Sequence, residues 1–152
     1  MFININEIRT GDKLEFTLSK DEVDISELEE IAICRFVLAK LKKRVRVKGD
    51  VSFKLKLTCV RCLEVITKEF GERVDCIFEP GIPNITEGAQ IEITKNDIEK
   101  YYYVGDEIDL TPLVRDTILL TIPIKPLCSP DCRGLCPRCG KNLNEGDCEC
   151  QK

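Results

Sequence analysis

Apolar residues fall on alternate positions through residues 43–58: Val45, Val47, Val51, Phe53, Leu55 and Leu57 are all odd-numbered. A period of two over more than a dozen residues predicts a long strand with one buried face. Gly49-Asp50 marks either a bulge or bend within that strand or the turn between two strands; the unbroken parity favours the first. The alternation resumes after Cys59-Val60-Arg61-Cys62, with Phe70, Glu72, Val74, Cys76 and Phe78 in one register. Two long strands joined by a short knuckle make a hairpin. Residues 2–6 and 13–18 read as strands separated by a Thr10-Gly11-Asp12 turn. Residues 24–31 read as an acidic loop or a single helical turn, and residues 79–88 as a loop. Residues 91–94 and 101–104 are short β-like runs. Leu113, Val114, Thr117, Ile118 and Thr121 form a 3.6-residue stripe that predicts one helix. Thr111 is its expected N-cap, Pro112 its first residue, and Pro123 and Pro126 lie beyond its end. The expected fold is α+β and β-rich, a twisted antiparallel sheet or open barrel with one main helix.

Ten cysteines and no histidine among 152 residues change the picture. Without histidine there is no Ser-His-Asp or Cys-His catalysis, no histidine zinc ligand and no histidine-held haem. Residues 1–9 lack the basic, apolar and small-residue regions of a signal peptide. No apolar run approaches the 18 or so residues of a membrane span. A cytoplasmic protein with no membrane partner is therefore expected. In that reducing setting, cysteines point to metal or redox chemistry before disulfides.

Cys76 shares the parity of Val74 and Phe78, and Cys34 lies in the apolar stretch 31–41, so both read as small buried hydrophobes. Eight cysteines remain. Cys59-Val60-Arg61-Cys62 and Cys136-Pro137-Arg138-Cys139-Gly140 are knuckles in which two residues separate thiolates that can share one ion. Cys128 with Cys132 and Cys148 with Cys150 supply two further pairs. The favoured grouping is Cys59, Cys62, Cys128 and Cys132 in one site and Cys136, Cys139, Cys148 and Cys150 in another; spacing leaves other partitions open. The expected cofactor is Zn2+, as two structural ions, because four-thiolate sites are closed. A redox Cys-x-x-Cys usually opens a helix of a βαβ unit, whereas Cys59 and Cys62 lie between strands. No enzyme is expected. Residues 1–127 read as a β-rich domain and residues 128–152 as a cysteine-rich tail with too little apolar surface to fold without metal.

Charge is distributed unevenly. Residues 34–62 hold Arg35, Lys40, Lys42, Lys43, Arg44, Arg46, Lys48, Lys54, Lys56 and Arg61 against Asp50 alone, a net +9 within a chain of −4, leaving −13 elsewhere. Lys40, Lys42, Arg44, Arg46, Lys48, Lys54 and Lys56 are all even-numbered, opposite to the apolar set. On one continuous strand they would line the solvent face about 6.6 Å apart, with Lys40 to Lys48 spanning about 26 Å. With Arg61 they are the candidate RNA-binding residues, through phosphate contacts that carry no base specificity. A lysine-protected edge, an ordinary solvated face and a dock for an acidic protein are the competing readings. Tyr101, Tyr102 and Tyr103 offer a stacking surface or, more commonly, a half-buried aromatic strand.

Cys59-Val60-Arg61-Cys62-Leu63 after a long strand resembles the hallmark of the bacterial YceD family, the large ribosomal RNA subunit accumulation proteins. Asp106-Glu107-Ile108-Asp109-Leu110, the following helix and Leu120-Thr121-Ile122-Pro123 are similar too, as is the tail from Pro126 to Asn144. The resemblance covers roughly residues 40–150. The tail's last four cysteines belong to a subset of the family, so they read as a separable unit. The resemblance implies a non-enzymatic role in large-subunit ribosomal RNA accumulation and ribosome assembly. The expected partner is that RNA or an assembly intermediate. The alternative is a docking module whose acidic surface holds a basic ribosomal protein.

Overall fold

The structure, a computed structural model, describes residues 1–82 and 99–151. The run expected at 91–94 and the end of the loop expected at 79–88 lie outside the described residues. Among the described residues, seven strands and two α-helices follow in order: β1 (Phe2–Asn4), β2 (Asp12–Ser19), α1 (Lys20–Val23), β3 (Ile31–Leu41), β4 (Arg44–Thr58), β5 (Val65–Pro80), β6 (Glu99–Tyr103), β7 (Glu107–Asp109) and α2 (Thr111–Thr121). The main sheet has the order β2-β3-β4-β5-β6, and β1 pairs with β7 in a separate ribbon. Pairing is antiparallel from β2 to β5, whereas β6 joins β5 in parallel, so the sheet is mixed. It is open, with β2 and β6 at its edges.

The parity of β4 explains its burial. Val45, Val47, Val51, Phe53, Leu55 and Leu57 are buried, and no second turn interrupts the strand at Gly49. Burying each such side chain stabilises the fold by about 1.5–3 kcal/mol. Gly49 keeps the strand continuous because only hydrogen fits there. A Cβ would lie 1.9 Å from the Arg35 carbonyl oxygen on β3. Val74, Cys76 and Phe78 of β5 and Cys34 of β3 complete the same buried face, as the two cysteines' surroundings suggest.

The hairpin that carries the cations is not one line. β3 reverses into β4 at Lys42-Lys43, with Lys42 at φ 57°. This overturns the continuous row from Lys40 to Lys48. On β3 the even positions Ala32, Cys34, Phe36 and Leu38 face the core. Lys40 shares that side and donates from Nζ to the Ile5 carbonyl oxygen at 2.6 Å.

Helix α2 packs Leu113, Val114 and Ile118 on the core. It begins one residue earlier than expected: Leu110 is the N-cap, because Asp109 Oδ1 accepts the Thr111 N–H at 3.0 Å. Tyr101 stacks on Phe78 with ring centroids 5.3 Å apart and donates to Asp116. Tyr103 is buried and donates to the Lys43 carbonyl oxygen. The tyrosine run is a half-buried strand, with Tyr102 exposed.

Candidate metal centres and the charged sheet face

The β4–β5 turn builds half of the first cluster. Leu63 N–H donates to the Cys59 carbonyl oxygen at 2.9 Å, with Leu63 at φ 62°, and this folds Cys59 and Cys62 toward each other. The second knuckle repeats the geometry. Gly140 N–H donates to the Cys136 carbonyl oxygen at 2.9 Å with Gly140 at φ 74°. The chain leaving α2 reaches the hairpin tip through Val60 N–H to the Pro126 carbonyl oxygen, bringing Cys128 and Cys132 with it.

The sulfurs of Cys59, Cys62, Cys128 and Cys132 lie within 4.8 Å of one another, and so do those of Cys136, Cys139, Cys148 and Cys150. Cys59 and Cys132 sulfurs are 3.7 Å apart, Cys62 and Cys128 sulfurs 3.6 Å. A tetrahedral four-sulfur zinc site with bonds near 2.3 Å has edges of about 3.8 Å, so the first cluster fits that ion. Electrostatics agree. The Cys62 N–H, helped by those of Arg61 and Cys128, brings the Cys59 thiol down to about 6 despite burial. The Glu64 N–H favours a thiolate at Cys62, but burial and three neighbouring sulfurs push it up to about 12. In the second cluster, N–H groups of Cys139 and Arg138 lower Cys136 to about 6, and Cys139 drives Cys150 up to about 11. In each set the thiol lowered most is the one that two or more backbone N–H groups face, the arrangement that favours a thiolate ligand.

The solvent face of the sheet carries the predicted cations beside carboxylates that the strand register supplies. Arg44 meets Glu79 at 3.1 Å, Arg46 binds Asp75 through two hydrogen bonds of 2.7 and 2.8 Å, and Lys48 lies 3.4 Å from Asp75. Arg35 meets Glu15 and Asp50 on either side. Lys42, Lys54 and Lys56 are exposed, and among the described residues no carboxylate lies within 4 Å of them. Arg61 donates to the Cys132 carbonyl oxygen at 2.8 Å and braces the first cluster. Sequence reasoning missed Glu79, Asp75 and Glu15, because their opposition to the cations depends on register. It gave no role to Asn142 and Asn144, which bond Glu64 and the Cys132 sulfur; their sequence signal is their place at the end of the tail stretch that resembles the family.

No helix among the described residues is long and apolar enough to cross a membrane. No solved structure matches the chain. Uncharacterised proteins of Mycobacterium tuberculosis and Mycobacterium bovis are 33% identical over 123 residues, covering 76% of this chain and 56% of theirs. The Arabidopsis thaliana protein described as large ribosomal RNA subunit accumulation protein YCED homolog 1, chloroplastic, is 29% identical over 155 residues, covering 88% of this chain and 47% of its own. The chain spans about half the length of these curated relatives. The profile described as large ribosomal RNA subunit accumulation protein YceD matches residues 47–152, from near the start of β4 through both cysteine clusters. On that match the chain belongs to the YceD family, whose name places it with large-subunit ribosomal RNA accumulation rather than with a catalytic activity.

Proposed function

We propose that this chain is a non-enzymatic factor in large-subunit ribosomal RNA accumulation and ribosome assembly, acting in the cytoplasm, and that two structural zinc ions hold its RNA-contacting hairpin. Residues 1–127 form the β-rich unit of this proposal and residues 128–152 its metal-dependent tail. Cys59, Cys62, Cys128 and Cys132 would hold one ion, and Cys136, Cys139, Cys148 and Cys150 the other. The ions supply rigidity, since four thiolates leave no open coordination position.

The observation that carries the RNA reading is the exposed end of β4. Lys54 and Lys56 project from the solvent face without a carboxylate within 4 Å among the described residues, two turns of the pleat from the braced tip. Lys42 does the same at the opposite end. Arg44, Arg46 and Lys48, occupied by acids, contribute less, and Lys40 contributes nothing from the core side. Lys54→Glu with Lys56→Glu is expected to weaken binding to a large-subunit ribosomal RNA fragment and to flatten its salt dependence by about one to two phosphate contacts. Unchanged affinity and slope would sink the RNA reading.

One observation favours the second reading, a dock for a basic ribosomal protein. Acids outnumber cations six to none over residues 21–30, and Asp21, Glu22, Asp24, Glu27, Glu29 and Glu30 are all exposed. Neutralising these six residues tests it: lost binding to a basic ribosomal protein, with RNA affinity intact, would select docking.

A further inference from the structure

The two cysteine clusters share no ligand, yet one short turn of the tail reaches from the second into the first. Asn144 Nδ2 donates to Cys132 Sγ at 3.4 Å, and its Oδ1 accepts the Arg133 N–H at 2.8 Å. Both ends of the amide are engaged, so its direction is set. Asn142 Oδ1 accepts the Asn144 N–H at 3.0 Å, while Asn142 Nδ2 donates to Glu64 Oε1 on the hairpin at 2.7 Å. The same turn is anchored in the second cluster. Leu143 packs against Cys136 and Cys148, its N–H donates to the Gly134 carbonyl oxygen at 2.9 Å, and Cys136 N–H donates to the Lys141 carbonyl oxygen at 2.8 Å. The backbone gives no slack between the clusters. Leu135 N–H donates to the Arg61 carbonyl oxygen, and a Cβ on Gly134 would come within 3.1 Å of that same oxygen.

An amide aimed at a thiolate spreads the negative charge of a four-thiolate site and orients its sulfur, an outer contact that typically matters 10–100-fold in metal affinity. We propose that Asn144 is a positioning residue that couples the two metal centres. An ion in the tail centre orders the turn at 142–145, the turn aims the Asn144 amide at Cys132, and the ion at the hairpin tip is held more tightly. Linkage makes the effect reciprocal, so the hairpin-tip ion tightens the tail ion by the same factor. The proposal rests on the metal reading above and adds that the two ions bind as a pair.

The test uses the full chain, zinc and a competing chromogenic chelator, with ion occupancy followed by native mass spectrometry. The native chain is expected to show less one-ion species, on passing from two ions to none, than independent sites would give. Asn144→Ala is expected to weaken the hairpin-tip ion about tenfold and to populate the one-ion species. Asn144→Asp, which loses the donor and adds charge beside the sulfur, is expected to weaken it further. Cys148→Ser with Cys150→Ser, which removes the tail centre, should weaken the hairpin-tip ion to a similar degree. Adding Asn144→Ala to that pair should then cost nothing more. If the native chain binds two ions but Asn144→Ala leaves both affinities unchanged, the coupling is wrong and the metal reading stands. If the losses from Asn144→Ala and from the paired serines simply add, Asn144 acts locally and the coupling is again wrong. A native chain that takes up no zinc overturns both.

Discussion

Arg46 grips both carboxylate oxygens of Asp75 across the β4–β5 ladder, at 2.7 and 2.8 Å. The paired hydrogen bonds hold the Asp75 carboxyl below its usual value, with Lys48 adding to the effect. A carboxyl lowered in the folded state contributes stability above its unfolded pKa near 3.9 and loses it as pH falls through the folded value. Asp75→Asn should therefore narrow the stability difference between pH 6 and pH 3. The change should be small, because the pair is solvent-exposed. Urea midpoints of the two proteins at both pH values check it; identical pH dependences would show that the grip contributes nothing.

Gly49→Ala should destabilise the fold by about 3 kcal/mol, because the new methyl meets the backbone of β3 and no side chain can move aside. Gly71→Ala is the control, since nothing lies within 4 Å of a Cβ there. Denaturation of both variants separates a close-packing effect from a general intolerance of alanine at glycine positions.

Leu63→Gly should stabilise the protein by about 0.5–1 kcal/mol. Leu63 sits at φ 62°, a region costly for any residue with a Cβ, and its side chain is largely exposed. The matching position of the second knuckle is already glycine, Gly140. Thermal unfolding of the zinc-loaded chain measures the gain, and a lowered midpoint would mean that the leucine side chain has a packing role at the tip.

Removing metal with a strong chelator should unlock residues 59–64 and 128–150 while leaving β2 to β5 protected. The sheet buries its own apolar face, whereas the tail's buried residues are mostly the cysteines themselves. Amide hydrogen exchange read peptide by peptide checks this. Loss of protection across Val45, Val51 and Phe53 would show that the ions hold the whole fold.

The parity of Val45 to Leu57 and the stripe of α2 were readable in the chain because each buries one face only. Strand β3 escaped notice for the opposite reason. Its core side carries Ala32, Cys34, Phe36 and Leu38, but its solvent side carries Ile31, Ile33, Val37 and Leu41, so the alternation vanishes. Lys40, on the core side with its ammonium led out to the Ile5 carbonyl, hid the reversal that follows. The cations of β4 were visible as residues but not as pairs. Whether Arg46 faces an acid depends on where β5 begins, which the knuckle decides. The parallel arrival of β6 and the pairing of Phe2 with Asp109 are long-range matches that no local pattern encodes. The four cysteine pairs were legible because the members of each are close in the chain, whereas the meeting of Cys59 and Cys62 with Cys128 and Cys132 depends on how the chain leaves α2.

The first cysteine cluster joins Cys62 to Cys128, 66 residues further on, whereas Cys136 and Cys148 of the second are 12 residues apart. An ion across the first would therefore lace the whole of β5, β6, β7 and α2 into one ring. Ring closure depends on length only logarithmically, and doubling the ring would cost about 0.6 kcal/mol. Insertions between residues 62 and 128 should thus be tolerated by the hairpin-tip centre. A single added residue between Cys139 and Cys148, in a ring so short, should not be.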